Sequence, residues 1–285
     1  MGQEQVTRRF CVIGDPIDHS LSPALHTTAY AALGVQDARY EKVRVPADGF
    51  EHALSTGLQA FTGISVTMPH KRSAFLAALA HDRASQDLGI ANTLISLPTS
   101  PGAERRWAAF NTDVHGIAQS FRDAGVGDPA SAAILGSGAT ALSALAAMHE
   151  LGAEDVTLLA RSAQKLVPLV EFADARGLTV RTGTLADAPR LLGADAVISA
   201  LAEPGARALA SVLEAAPSAP QRAGAFLDVL YHPLPTVLDG LVPADITMDG
   251  RAMLARQAMR QVELMLGVEQ APAEAMEAAV FAAVR

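Results

Sequence analysis

Four apolar residues, Ala132-Ala133-Ile134-Leu135, run straight into Gly136-Ser137-Gly138-Ala139-Thr140-Ala141, and a helical pattern then continues to Glu150. A buried strand, a glycine turn and a helix in direct succession leave few folds open. The spacing is G-x-G-x-x-A in the strand-turn-helix setting where backbone amides at a helix N-terminus cradle a pyrophosphate. A second apolar run, Val156-Thr157-Leu158-Leu159-Ala160, follows about 20 residues on and ends in Arg161-Ser162, with Lys165 one turn later. At that strand end a dinucleotide fold carries an acid for a ribose 2′-hydroxyl or an arginine for the 2′-phosphate of NADP. Arg161 therefore reads as a phosphate contact, against the plainer reading of an exposed arginine leading the next helix.

Alternation of the same kind runs along the whole chain. Strand patterns fall at residues 10–13, 40–45, 61–66, 179–182, 196–199, 225–228 and 246–247. Helical patterns fall at 24–33, 48–56, 73–79, 113–124, 251–266 and 273–284. Strands separated by helices predict an α/β protein with parallel sheets. A length of 285 residues suits one large or two ordinary domains.

Residues 63–71, Gly63-Ile64-Ser65-Val66-Thr67-Met68-Pro69-His70-Lys71, are the second constraint. Pro69 ends the strand because it cannot donate to a ladder. In an open α/β sheet, the turn beyond a strand's carboxyl end is where ligands bind. Ser65, Thr67 and Lys71 would bring two hydroxyls and an ammonium there. Only Lys42, Lys71 and Lys165 are lysines among 22 cationic residues, so arginine is the default cation. A lysine at this turn points to a proton that must move.

Other polar residues stand out against the composition. Ser22 with Pro23 forms an N-cap and N1 pair for the helix that follows. Ser20 is not needed for capping, and two hydroxyls at a helix N-terminus suit a carboxylate. Asn92 and Asn111 are the two asparagines of the chain, each followed by threonine. Gln257 aligns with Met253, Gln261 and Met265, so its amide interrupts a largely apolar stripe and needs partners.

The totals exclude several classes. Half the residues are hydrophobic and 18% charged, a globular balance. Cys11 is the one cysteine and lies in an apolar run, which rules out internal disulfides and reads as an inert core thiol. Residues 1–9 are polar, without the apolar core of a signal peptide. Gly2 is not a myristoylation site, because position 6 is Val. Residues 132–148 are too short and too interrupted by glycine to span a membrane. A net charge of -8 without a lysine-rich stretch argues against nucleic acid and anionic membrane. His19 and His26 find no third partner at ligand spacing, so no metal is expected. The expectation is a soluble cytoplasmic protein acting on a small molecule.

Taken together, these blocks resemble the shikimate dehydrogenase family over almost the whole chain. Residues 14–23, GDPIDHSLSP, resemble its G-x-P-I-x-H-S-x-S-P signature, and residues 63–71 its G-x-N-V-T-x-P-x-K stretch. Ala91-Asn92-Thr93-Leu94 and Asn111-Thr112-Asp113 are similar to its A-x-N-T-L and N-T-D blocks. Asp228-Val229-Leu230-Tyr231-His232-Pro233 with Thr236 matches D-x-x-Y-x-P-x-x-T. Gly250-Arg251-Ala252-Met253-Leu254 with Gln257-Ala258 matches G-x-x-M-L-x-x-Q-A.

The resemblance implies a discontinuous α/β substrate domain, residues 1–112 and 250–285, and a Rossmann-like NADP-binding domain, 113–249. It implies reversible NADPH-dependent reduction of 3-dehydroshikimate to shikimate, in a monomer or homodimer. Lys71 and Asp113 are the expected catalytic pair. Ser20, Ser22, Ser65, Thr67, Asn92, Tyr231 and Gln257 are expected around the substrate. Gly136, Ser137, Gly138, Ala139, Thr140, Ala160, Arg161, Ser162, Lys165 and Gly250 are expected on the cofactor. Three positions depart from the pattern. Ser65 replaces an asparagine, Ala160-Arg161-Ser162 replaces N-R-T, and Ala200-Leu201-Ala202 lacks the threonine of N-A-T or N-T-T. A quinate-oxidising paralogue, which tends to carry an acid in place of Arg161, and a non-catalytic ligand sensor are the alternatives.

Overall fold

The computed structural model describes residues 8–100 and 102–283. Residues 1–7, on which the reading of no signal peptide and no myristoylation largely rests, lie outside them, as does Val284. Arg8 and Arg9, read as polar terminus, instead belong to the first strand, where they pair with Asp37 and Glu41.

The chain forms two compact units. One runs to Thr112 and resumes over Gln257–Ala283; the other takes Asp113–Arg256. The sequence reading put the return at 250, and in the structure it falls inside a helix that begins there.

In the first unit the elements are β1 (Arg8–Gly14), α1 (Ser22–Ala32), β2 (Ala38–Arg44), α2 (Phe50–Ser55), β3 (Gly63–Val66) and α3 (Lys71–Ala77). They continue as β4 (Ala80–His81), α4 (Arg83–Leu88), β5 (Thr93–Ser96) and β6 (Trp107–Phe110). The six strands are ordered β2-β1-β3-β5-β6-β4. β1 is parallel to β2 and β3, whereas β5 runs antiparallel to both β3 and β6. The sheet is therefore mixed, where the alternation predicted a parallel one. The physical reason is local: only residues 97–106 link β5 to its neighbour β6, too little chain for a parallel crossover, so the two pair as an antiparallel hairpin. Ile64, Leu94, Trp107 and Ala109 are wholly or almost wholly buried against Leu58, Phe61 and Ala74. Each large apolar side chain there contributes about 1.5–3 kcal/mol of transfer free energy.

The chain leaves the first unit through α5 (Thr112–Asp123). The second unit then holds β7 (Ser131–Leu135), α6 (Ala139–Glu150), β8 (Asp155–Ala160), α7 (Val167–Asp174), β9 (Thr179–Thr184) and α8 (Ala188–Leu191). After these come β10 (Ala196–Ser199), α9 (Glu203–Glu214), β11 (Ala223–Asp228) and β12 (Ala244–Met248). Its sheet is parallel in every pairing, in the order β12-β11-β10-β7-β8-β9. That is the doubly wound dinucleotide order, and its direction reverses between β7 and β10. The central strands β7 and β10 are continuous apolar runs because helices cover both faces. The edge strands β9 and β12 contain only exposed and half-buried positions, as solvent-facing edges do. α10 (Gly250–Leu266) returns to the first unit, and α11 (Ala273–Ala283) packs there on α1. Among the described residues, no helix is long and apolar enough to cross a membrane.

Candidate active site

In the first unit, β1 and β3 lie side by side, and the chain beyond each carries polar residues. Gly14 is required at that crossing. A Cβ there would fall 2.4 Å from Thr67 Cγ2 and 2.9 Å from the Met68 carbonyl. The amides of Asp15 and Thr67 cross-link the two chain ends through Met68 O at 3.0 Å and Ile13 O at 2.9 Å. This backbone pinning brings the 14–23 and 63–71 stretches together. Lys71 is the first residue of α3 and is half-buried, with Thr67 half-buried in the preceding turn.

Ser20 and Ser22 sit at the start of α1, and the Ser22 amide donates to Ser20 Oγ at 3.3 Å. The expected N-cap role of Ser22 is not what the structure contains. The helix starts one residue earlier, with Leu21 at the cap position and no side-chain cap bond. Ser22 is a buried first-turn residue. Capping is thus removed as the explanation for Ser22.

A buried polar cluster lies beyond β3 and β5. Asn92 Oδ1 accepts from the Thr112 amide at 2.9 Å, and Asn92 Nδ2 reaches Thr112 Oγ1 at 2.9 Å. Gln257 Oε1, on α10, lies 3.5 Å from Asn92 Nδ2 and 3.4 Å from Thr112 Oγ1. Asn92, Thr112 and Gln257 are all buried. The interruption of the apolar stripe at Gln257 therefore finds its partners in a second segment of chain 145 residues away.

Apart from Ser65, the rest of the cluster was not singled out from the sequence. Tyr40 Oη donates to Ser65 Oγ at 2.6 Å, and Ser65 Oγ donates to Gln261 Oε1 at 2.8 Å. Gln261 Nε2 donates in turn to Thr93 Oγ1 at 2.9 Å. His26 stacks on Tyr40 with ring centroids 4.0 Å apart. Burial holds the Tyr40 phenol far above its ordinary pKa and presses His26 down to about 3, so both are neutral. Gln261 was visible only as one more member of the Gln257 stripe. Asp82 was missed as well: it caps α4 at Ser85 and receives the Asn111 amide at 3.3 Å, which fixes the turn into Thr112.

In the second unit, Gly136 has φ +128°, and its amide is bonded to Leu159 O. A Cβ there would meet Ala200 O at 2.8 Å, so the turn after β7 admits glycine only. Ser137, Ala139 and Thr140 are half-buried around the exposed Gly138, which precedes α6. A Cβ on Gly138 would meet nothing within 4 Å, so packing within the protein does not demand glycine there. The first turn of α6 has no side-chain cap and no acid, which leaves its amides oriented for an anion. Beyond β8, the buried Ala160 leads to exposed Arg161 and half-buried Ser162. Lys165 is exposed on a 3-10 turn, Ala163–Leu166, rather than the α-helical turn the spacing suggested.

After β11, the buried Asp228 holds the loop that carries Tyr231. Burial raises its carboxyl, and the Leu230 amide, donating to Oδ1 at 3.2 Å, opposes that shift. Tyr231 is half-buried, with its phenol raised by burial. Gly250 has a steric reason to be glycine, since a Cβ would fall 2.1 Å from Val229 O. Among the described residues, no group of three or more His, Cys, Asp or Glu could hold a metal ion.

A profile of the Shikimate dehydrogenase substrate binding domain matches residues 12–94. The NADP(+) shikimate dehydrogenase of Methanocella arvoryzae is 30% identical over 93% of this chain and 95% of its own length. The chain belongs to the shikimate dehydrogenase family. Among solved members, the Mycobacterium tuberculosis shikimate dehydrogenase superposes with a TM-score of 0.79 at 34% identity, covering 96% of this chain and 99% of that one. The Thermus thermophilus shikimate 5-dehydrogenase, solved with NADP(H) and shikimate, gives 0.76 at 27% identity, covering 98% and 100%. Membership accounts for the fold of both units, the mixed sheet included. The family's usual asparagine at position 65 is here a serine whose hydroxyl is engaged on both sides, by Tyr40 and by Gln261.

Proposed function

We propose that this protein is an NADP-dependent shikimate dehydrogenase, catalysing the reversible reduction of 3-dehydroshikimate to shikimate. The observation that carries the reading is the buried Asn92-Thr112-Gln257 amide cluster beside the Ser20, Ser22, Thr67 and Lys71 turn, in a family member with a doubly wound second unit. Substrate binding belongs to the first unit and nucleotide binding to the second. Ser20 and Ser22 hold the substrate carboxylate by charge-assisted hydrogen bonds. Thr67, Asn92 and Gln257 hold the ring oxygens, and the second unit contributes Tyr231 as a further substrate-binding residue.

The residues around Gly136 suit a dinucleotide. The uncapped α6 N-terminus and the open face at Gly138 fit a pyrophosphate, and Arg161 with Lys165 fits a 2′-phosphate. Bound NADPH supplies the hydride. The carbonyl oxygen gains negative charge as reduction proceeds, and Lys71 meets that charge or donates the proton. Asp113, buried in the first turn of α5, orients the lysine and takes part in the proton movement. Such acid-base assistance contributes on the order of 10²–10⁴-fold.

Purified protein assayed with shikimate or quinate against NADP or NAD tests the reading. Highest kcat/KM with shikimate and NADP is expected. Preference for quinate, preference for NAD, or no turnover of either acid would overturn it.

A further inference from the structure

The buried cluster contains two groups of fixed hydrogen-bonding polarity, and together they set the direction of the bonds between them. The Asn92 carbonyl can only accept, so Gln261 Nε2 faces it at 3.3 Å and Gln261 Oε1 faces Ser65. The one proton of Ser65 is then committed to Gln261, while its oxygen accepts from Tyr40. Gln261 Nε2 also donates to Thr93 Oγ1, which leaves the Thr93 proton for Asn92 Oδ1 at 2.9 Å. From the opposite side the Thr112 amide, a donor only, reaches the same Oδ1 at 2.9 Å. The Asn92 nitrogen is thereby directed at Thr112 Oγ1 and Gln257 Oε1.

We propose that Gln261, held by Ser65 and Tyr40, is a positioning residue that locks Thr93 onto Asn92 and so sets which ends of the Asn92 and Gln257 amides face the substrate. The proposal rests on the reading that Asn92 and Gln257 bind substrate. It assigns Ser65 to this relay rather than to the substrate, because the only proton the hydroxyl can give is spent inside the protein. Burial makes the relay strict. Gln261 is 2% exposed, Ser65 3% and Thr93 0%, so water cannot stand in for a missing partner. Tyr40 is itself held by stacking on the buried His26 ring. An amide can be turned over with little change of shape. Without Gln261, the Thr93 hydroxyl is released and Asn92 Oδ1 keeps one fixed donor instead of two.

The test uses full-length protein with Gln261→Met, Tyr40→Phe and Gln261→Glu, measuring steady-state kinetics for shikimate and NADP together with thermal unfolding. Gln261→Met removes both amide functions at similar volume, and kcat/KM for shikimate should fall about tenfold or more while KM for NADP stays at the wild-type value. Tyr40→Phe leaves the ring stacked on His26 and should lower the same constant by a smaller factor. Gln261→Glu, when protonated, can accept from Ser65 and donate its one proton to Thr93, giving up only the longer bond to the Asn92 backbone carbonyl. Its kcat/KM relative to wild type should therefore decline as pH rises and the carboxyl ionises, a signature that simple loss of packing does not produce. Wild-type kcat/KM for shikimate in both Gln261→Met and Tyr40→Phe would overturn the proposal. If Gln261→Met does not fold, Tyr40→Phe decides alone. A wild-type protein inactive on shikimate overturns instead the functional reading on which the relay rests.

Discussion

The Ser65 hydroxyl and Gln261 Oε1 meet at 2.8 Å although 196 positions separate them in the chain. One residue lies within the central strand β3 and the other on the helix that returns from the second unit. Their contact joins the 63–71 stretch to the Gln257 helix, so the proposed substrate residues of two remote segments share one hydrogen-bonded core.

Lys71 and Asp113 are proposed to act on the reacting oxygen. Lys71→Ala should lower kcat by roughly 10²-fold or more, with NADP affinity nearly unchanged because the nucleotide elements belong to the other unit. Asp113→Asn should lower kcat as well. Stopped assays with shikimate and NADP check both, and a folded Lys71→Ala protein with near-normal turnover would remove the lysine from the mechanism.

Ser20→Ala and Ser22→Ala each delete a hydrogen bond to a charged group, worth about 1.5–3 kcal/mol. Shikimate KM should rise about tenfold or more in each variant. Because Ser22 does not cap α1, its replacement should not carry a capping cost. Unchanged KM in both variants would place the carboxylate elsewhere.

Arg161→Ala should weaken NADP binding by roughly 10- to 100-fold, the loss of one charge-assisted contact to a phosphate. NAD, which has no phosphate there, should be nearly indifferent. Arg161→Asp should go further, by repelling the phosphate and offering NAD's ribose an acceptor. Comparison of kcat/KM for the two cofactors checks this, and equal damage to both would count against it.

His26 gives the fold an acid limit. The unfolded chain protonates this ring near pH 6.5, whereas burial holds the folded pKa at about 3. The folded state thus binds fewer protons in that window, and its stability must fall as pH drops from about 6.5 towards 3. Above pH 6.5 the contribution is fully present. The slope approaches about 1.4 kcal/mol per pH unit in the middle of the window. Denaturant unfolding at a series of pH values should show that slope in wild type and a shallower one in His26→Phe, which keeps the ring stacked on Tyr40. Equal slopes would show that other groups set the acid limit.

Gly14→Ala tests the crossing of β1 with the Thr67 turn. A methyl group 2.4 Å from Thr67 Cγ2 and 2.9 Å from Met68 O must push that turn away, at about 1–3 kcal/mol. Thermal unfolding should fall accordingly, and shikimate KM should rise because Thr67 moves. A variant with wild-type stability and KM would show that the crossing yields freely.

The sequence by itself determined the second unit and the one-dimensional parts of the site. A glycine turn between a strand and a helix works through residues adjacent in the chain, so Gly136, Gly138 and Arg161 could be read from spacing alone. The polar turns at 20–22 and 67–71 were legible for the same reason, because short blocks of local geometry place each side chain. The antiparallel course of β5 was not legible, since which strands become its neighbours is decided only when the sheet assembles. Nor was the role of Tyr40, Thr93, Thr112 and Gln261. Each is an ordinary polar residue in its own segment, and each acquires a hydrogen-bonding direction only when five separate segments are buried together. Removal from water makes every donor and acceptor find a partner, and only the tertiary structure decides which partner that is.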